Sequence, residues 1–279
     1  MRCCFILYNM RILFVLAFLF CLQLLKAQEL FVYTEPASNM SAKSIAVRLN
    51  NNLMKETSTG KYNYHLLPEL MWGISKKMMI HAEGFFSNRN KNLDAEGGSL
   101  YFKYRFYSAD EVHSHFRLAA FGRGAYNNSD IHQPSIDLNG HNSGYEAGLI
   151  ATKLINKLAL SATASFLHAI DNGNGNKFQY NDKNRNAVLY AVSAGKLMLP
   201  KNYTDYNQTN INLMAEFLGQ ANLGNGRSWL DIASSVQFIF LSKMRLDIGY
   251  RFAVVKDLVR TAESGFLFRF EYNFFNVYK

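Results

Sequence analysis

Apolar and polar side chains alternate one by one along much of this chain. In the last such stretch, Gly265 to Phe275, the side chains of Phe266, Phe268 and Phe270 share one parity, and charged residues take the other. Successive side chains of a β-strand point to opposite faces, so the pattern predicts a strand with one aromatic and one charged face. Clear or weaker forms of this alternation predict further strands over 44–50, 62–74, 78–87, 99–107, 115–126, 144–154, 158–168, 187–199, 209–218, 229–240 and 245–254.

Short turns and longer polar loops alternate between these strands. Residues 75–77 and 241–244 are short turns, whereas 127–143 and 169–186 are longer loops. Outer-membrane barrels show this alternation, with the short turns and both termini in the periplasm. We therefore predict an all-β fold, an antiparallel up-and-down transmembrane β-barrel of about 12 strands, formed by residues 44–279 as one domain.

Two positions within the predicted strands indicate irregularities. Pro68 has no N–H to donate to a neighbouring strand, so a bulge or kink is expected there. The parity of apolar positions becomes ambiguous around Ala194 and Gly195, which predicts a bulge in that strand.

The first residues have the features of a secretory signal. Arg2 and Arg11 supply positive charge before an almost unbroken apolar run, and the sequence turns polar after Ala27. This predicts a cleaved signal peptide over residues 1–27, with Met1 or Met10 as the start. All three cysteines lie within it, which suits an exported protein without disulfides. Residues 28–43 are then expected to form a periplasmic lead-in or a small plug.

The charged parity of the strands predicts the lining of the barrel lumen. Eight cationic and seven acidic side chains take this parity, together with one histidine, so the two signs nearly balance. Charges in a narrow lumen are costly unless they are paired, so we expect ion pairs between strands, such as Asp247 with Arg269 and Arg251 with Glu271. The predicted lumen-lining residues are Arg48, Glu69, His81, Glu83, Lys103, Arg105, Arg117, Arg123, Glu146, Glu216, Asp231, Arg245, Asp247, Arg251, Arg269 and Glu271.

Other functional classes find little support in the sequence. The groups 113–115 and 141–143 combine histidine with serine, but neighbouring strand residues face opposite ways, so no catalytic residue is assigned and no enzyme is predicted. One long loop holds Asp130, His132, Asp137 and His141, whose spacing matches no metal motif, so neither a metal nor another cofactor is predicted. Without the predicted signal the chain carries 27 basic against 21 acidic residues, and these are not clustered as in a nucleic-acid-binding protein.

Several blocks of the sequence resemble those of a known group of proteins. Residues 34–39, 62–69, 81–86, 137–146 and 195–200 look like segments of Gram-negative outer-membrane β-barrels described as transporters, akin to the phenol-degradation meta-pathway barrel family. The resemblance spans nearly the whole mature chain and implies a porin-like barrel in the cell outer membrane. The chain departs from many such barrels in having four further residues after Phe275.

The expected function is therefore passage of small solutes through a narrow channel. The alternative is a structural or surface-interaction barrel with a filled lumen, and a membrane-embedded hydrolase is less favoured. A barrel of about 12 strands lies between the packed 8-stranded and the water-filled 16-stranded classes, so the strand number does not decide between these functions. The expected partners are outer-membrane lipid, the outer-membrane assembly machinery and small solutes, and no nucleic acid.

Overall fold

A computed structural model describes most of the chain after the predicted signal. The described residues are 31–89, 92–111, 114–178, 180, 182–201, 205 and 207–278. The predicted signal peptide, residues 1–27, lies outside them.

Twelve antiparallel strands close into one barrel, which confirms the predicted fold class. Each strand pairs with its neighbours in the chain, and the first strand also pairs with the last, so no strand edge is left open. The strands are β1 Ser44–Glu56, β2 Tyr62–Gly73, β3 Met78–Ser87, β4 Asp94–Asp110, β5 Ser114–Asn127, β6 Ser143–Ile155, β7 Leu158–Ile170, β8 Asn186–Leu199, β9 Asn210–Asn222, β10 Ser228–Phe240, β11 Met244–Lys256 and β12 Ala262–Phe274.

Helical structure among the described residues is limited to a short 3-10 turn, Asp182–Arg185. None of their helices has the length and apolar character needed to cross a membrane.

The two faces of each strand have opposite surroundings, as the alternation predicts. On β12, Phe266, Phe268 and Phe270 are 38%, 39% and 40% exposed on the outside of the barrel, whereas Arg269 and Glu271 are only 8% and 3% exposed. A closed barrel satisfies its backbone hydrogen bonds internally, so an apolar outer surface of this kind suits contact with lipid.

Several strands are longer than the alternation predicts. β1 continues to Glu56 through residues assigned to a loop, and β4 runs from Asp94 to Asp110, well beyond 99–107. The pairing of β4 with β3 continues across a register shift between Phe85 and Phe86 of β3. Gly97 of β4 lies at this shift and has a φ of 149°. Glycine accepts this backbone conformation at little cost, so the strand can continue across the shift.

The structure differs from the two predicted irregularities in different ways. At Pro68 there is no bulge, because β2 keeps one register with both neighbours, but the pairing of Leu67 and Pro68 with β3 is interrupted. The expectation of a bulge at Ala194–Gly195 is wrong in position, because the register of β8 against β9 shifts between Leu197 and Leu199.

The strand connections define two different ends of the barrel. The end that carries the connections 74–77, 111–113, 156–157, 200–209 and 241–243 is called the turn end, and the opposite end is called the loop end. The loop end carries the two longest loops, 128–142 and 171–185.

Candidate functional site: the barrel interior

Ion pairs fill much of the inner wall, and Arg48 forms their centre. The register places Arg48 of β1 between Glu271 of β12 and Glu69 of β2. Its guanidinium contacts Glu271 at 2.8 Å, Glu69 at 2.9 Å and Glu35 at 3.0 Å, and Glu69 also contacts the Nδ1 of His81 at 2.5 Å. One buried cation thus holds three carboxylates from three parts of the chain.

A second group of ion pairs lies on β10 to β12. Arg245 contacts Asp247 at 2.8 Å and Glu271 at 3.5 Å, whereas Arg269 lies 3.7 Å from Asp247. The expected pair of Arg251 with Glu271 is wrong, because Arg251 is level with Gly265 on β12, and its acidic neighbour is Asp231 of β10 at 3.3 Å.

The remaining predicted residues have individual surroundings. Arg123 lies 3.8 Å from Glu146 and stacks over the Tyr101 ring, with its guanidinium carbon 5.4 Å from the ring centre. Glu83 accepts a hydrogen bond from Ser99 at 3.3 Å. Arg105 and Arg117 lie near the turn end, where Arg105 donates to the backbone oxygen of Lys76 and Arg117 contacts Asp110. All sixteen predicted side chains are buried or half-buried.

The segment before β1 crosses the inside of the barrel. Residues 31–43, here called the N-terminal segment, include Phe31, Val32 and Ala37, which are almost completely buried. The backbone N–H groups of Val32 and Tyr33 donate to one carboxylate oxygen of Glu216 on β9, at 3.0 and 2.8 Å.

Other strands also bind the same segment. The ammonium of Lys103 on β4 donates to the backbone oxygens of Pro36 and Ser38, at 2.6 and 2.9 Å. The N–H of Ala37 donates to the Thr152 hydroxyl on β6, and Arg48 on β1 binds Glu35. These contacts hold residues 31–38 against the inner wall of the barrel.

A loop also folds into the barrel from the loop end. Within 128–142, called the inner loop, Ile131, Ile136 and Leu138 are buried in an apolar cluster with Leu167 and Phe178. Gln220 of β9 accepts hydrogen bonds from Ser135 and from the backbone of Ile136, and donates to the Ile136 oxygen at 2.7 Å. The indole of Trp229 and the side chain of Gln133 add further contacts.

Two of the four possible metal ligands of this loop, Asp137 and His141, contact other groups. His141 accepts a hydrogen bond from Arg89 at 2.9 Å and lies 3.6 Å from Asp137, whose backbone and side chain organise the turn to Asn142. Nowhere in the described part of the chain do three His, Cys, Asp or Glu side chains form a group able to hold a metal ion. Of the two catalytic candidate groups, residue 113 lies outside the described residues.

A cavity of about 320 Å³ lies between the N-terminal segment and the inner loop. β9 shows the arrangement most simply, because Glu216 binds the segment, Leu218 lines the cavity and Gln220 binds the loop. These three residues point to the same face of one strand, so segment and loop contact the wall about 13 Å apart, at ~3.3 Å per residue.

Sequence reasoning missed several residues of the cavity wall. On β7 to β9 the side chains that line the cavity are uncharged, and the apolar lining on β6 to β9 comprises Ile150, Leu167, Leu189, Ala191 and Leu218. Their parity was visible in the sequence, but only charged positions had been assigned to the lumen. Arg89 and Arg260 line the cavity from loop-end connections, where strand parity gives no signal.

Comparison with known proteins supports the fold. The sequence matches no protein-family model and no curated protein. An outer-membrane channel from Pseudomonas putida F1 superposes with a TM-score of 0.54 at 10% identity, over 88% of this chain and 100% of that one. The KdgM porin (TM-score 0.48, 9% identity, 82% and 99% coverage) and the NanC porin (0.48, 10%, 83% and 98%) score lower. The described chain thus has the barrel fold found in outer-membrane channels.

Proposed function

We propose that this protein is a narrow channel of the outer membrane that passes small solutes. The observation that carries the proposal is the cavity of about 320 Å³ inside a closed 12-stranded barrel, lined by both polar and apolar side chains. A barrel whose lumen is filled by its own side chains would not contain such a space. The N-terminal segment and the inner loop narrow the path at either side of the cavity, so we expect a small conductance.

The proposal has a finer part and an alternative. A relationship to the phenol-degradation meta-pathway barrels rests on the sequence blocks alone, and contacts with the assembly machinery and with a solute are inferred from the proposed role. No catalytic activity is proposed. The alternative is a filled structural barrel, which is favoured by the dense contacts that Glu216, Lys103 and Arg48 make with the N-terminal segment.

Planar-bilayer conductance tests the proposal. The purified, refolded mature chain should give small, resolvable channels, and a variant lacking residues 31–42 should conduct several times more, because the segment no longer crosses the lumen. If neither protein conducts although both are folded barrels, the filled-barrel alternative holds.

A reversible cross-link provides the matched control. The hydroxyl oxygens of Thr34 and Ser193 lie 2.8 Å apart, so Thr34→Cys with Ser193→Cys should form a disulfide that fixes the segment to β8. No other cysteine occurs after residue 21, so the bond is unambiguous. The oxidised double variant should conduct no more than the unmodified chain, which separates the removal of the segment from other effects of the deletion.

A further inference from the structure

Cationic side chains on one wall of the cavity exceed the acidic groups that could pair with them. Asp231 is shared by two arginines, and Arg260 binds both of its oxygens, at 2.6 and 2.7 Å. Arg251 is left with a 3.3 Å contact to Asp231 through its Nε, and that nitrogen has no hydrogen-bond partner among the described residues.

Arg269 on the neighbouring strand is also incompletely paired. Its Nε donates to Asn50 at 2.5 Å, but its carboxylate neighbour, Asp247, lies 3.7 Å away and is bound more closely by Arg245, at 2.8 Å. Arg251 and Arg269 both line the cavity. Guanidinium groups with free N–H donors in a partly dry space favour an anion, above all a carboxylate, as their partner.

A buried hydroxyl lies near the strand positions of these two arginines, because it packs against Gly249, two residues from Arg251 and level with Leu267 of β12. The phenol oxygen of Tyr33 is buried and has no hydrogen-bond partner among the described residues. Its ring packs against Gly249 of β11, where a Cβ would come within 2.8 Å of that oxygen, so the glycine makes room for it. Both guanidinium groups are near enough to interact electrostatically with the hydroxyl, as are Glu216 and Asp231, which already have partners. Tyr33 also lines the cavity, where it can donate to an acceptor.

The side of the cavity formed by β7 to β9 is mainly apolar. Leu167, Leu189 and Ala191 come from β7 and β8, whose inner positions carry no ionised side chain, and Ile150 and Leu218 continue this surface on β6 and β9. A ligand that fills the cavity therefore meets donors at one side and aliphatic carbon at the other, the usual arrangement of a small-molecule site.

We propose that the cavity is a binding site for a small organic carboxylate with an apolar body. Arg251, Arg269 and the Tyr33 hydroxyl bind the carboxylate, and the apolar part packs on the β6–β9 side. The inference rests on the proposed function in treating the ligand as a solute in transit, but binding itself does not require an open path.

Calorimetric titration of the full mature chain with hexanoate tests the site. Hexanoate should bind at least tenfold more tightly than hexanamide, which lacks the charge, and than acetate, which lacks the apolar body. The double variant Arg251→Gln, Arg269→Gln should lose at least tenfold in affinity. It should still fold, because Arg260 continues to bind Asp231 and Arg245 continues to bind Asp247. Arg227→Gln removes one positive charge from an exposed loop residue, and this variant should bind hexanoate as the unmodified chain does.

The outcomes separate this inference from the proposed function. Equal binding of hexanoate and hexanamide, or unchanged binding by the double variant, would overturn the carboxylate site, whatever the conductance. Hexanoate binding that depends on both arginines supports the site even in a barrel that does not conduct. A conducting barrel that binds none of the three probes retains the channel and rejects the site.

Discussion

Two stretches of chain cross the inside of this barrel, and they are held by different chemistry. The N-terminal segment is bound mainly by ionised side chains, among them Arg48, Lys103 and Glu216. The inner loop is bound by the neutral groups of Gln220, Trp229 and Thr261 and by an apolar cluster. A buried ion that loses its partner is penalised far more than a buried amide, so the segment is the more firmly fixed and the loop is the more easily moved.

Replacing the central arginine should produce the largest effect. Arg48→Met leaves Glu35, Glu69 and Glu271 without the cation they share, and breaking a buried ion pair costs about 3–5 kcal/mol. We expect that loss in the free energy of unfolding, measured by urea titration of the barrel in lipid vesicles. Arg227→Met, at an exposed loop position, is the matched control. If Arg48→Met lost no more free energy of unfolding than Arg227→Met, the role given to Arg48 would be contradicted.

Removing the amide that holds the inner loop should have a smaller effect. Gln220→Leu keeps a side chain of similar size but deprives the Ile136 backbone of both its partners, and a buried unsatisfied group costs about 1–3 kcal/mol. The loop should become sensitive to protease at a denaturant concentration that leaves the barrel intact. Equal resistance of Gln220→Leu and of the exposed Asn207→Ala variant would show that the apolar cluster alone fixes the loop.

Lowering the pH should loosen the inner loop, and this effect should be smaller than those of the Arg48 and Gln220 substitutions. Burial and the nearby positive charge of Arg89 hold the pKa of His141 well below its usual value of 6.5. When the loop is released, His141 takes up a proton more readily than it does in place. The contribution of the neutral His141 ring to the stability of the inner loop in its bound position is therefore fully present above about pH 6.5. It is lost as the pH falls towards the lowered pKa.

A spin label at Asn139→Cys, an exposed position in the loop, measures this effect. Its mobility should increase between pH 8 and pH 5. The additional change His141→Gln keeps an acceptor for Arg89 but cannot titrate, so it should remove most of the pH dependence. An unchanged transition in that variant would assign the effect to another group.

The strands and their inner and outer faces could be predicted from the sequence because each is a local property. The parity of Phe266, Arg269 and Glu271 needs only a few neighbouring residues to be recognised. The closed 12-stranded fold follows from the same alternation, since only a closed barrel satisfies all backbone groups within lipid.

The pairing of charges depends on register, which parity does not give. Arg251 and Glu271 have the same parity and lie on neighbouring strands, but the turn between β11 and β12 sets Arg251 level with Gly265 and brings Arg245 to Glu271. Shifts of two residues preserve every face and change every ion pair. The lining of the cavity is even harder to predict from the sequence, because Tyr33 and Gln133 reach it from segments without periodicity.

Residues 277 and 278 lie beside the start of β1 and the end of β2. The N–H of Val277 donates to the backbone oxygen of Lys43, and the Tyr278 hydroxyl and the Lys43 N–H both donate to the backbone oxygen of Gly73. The seam between β1 and β12 joins residues with the greatest separation in sequence, and contacts of that kind carry the largest entropic cost of loop closure. Val277 and Tyr278 therefore bind where the N-terminal segment leads into β1, at the seam expected to form last. Closing the β1–β12 seam and fixing the end of the N-terminal segment thus involve the same residues, which couples these two steps of folding.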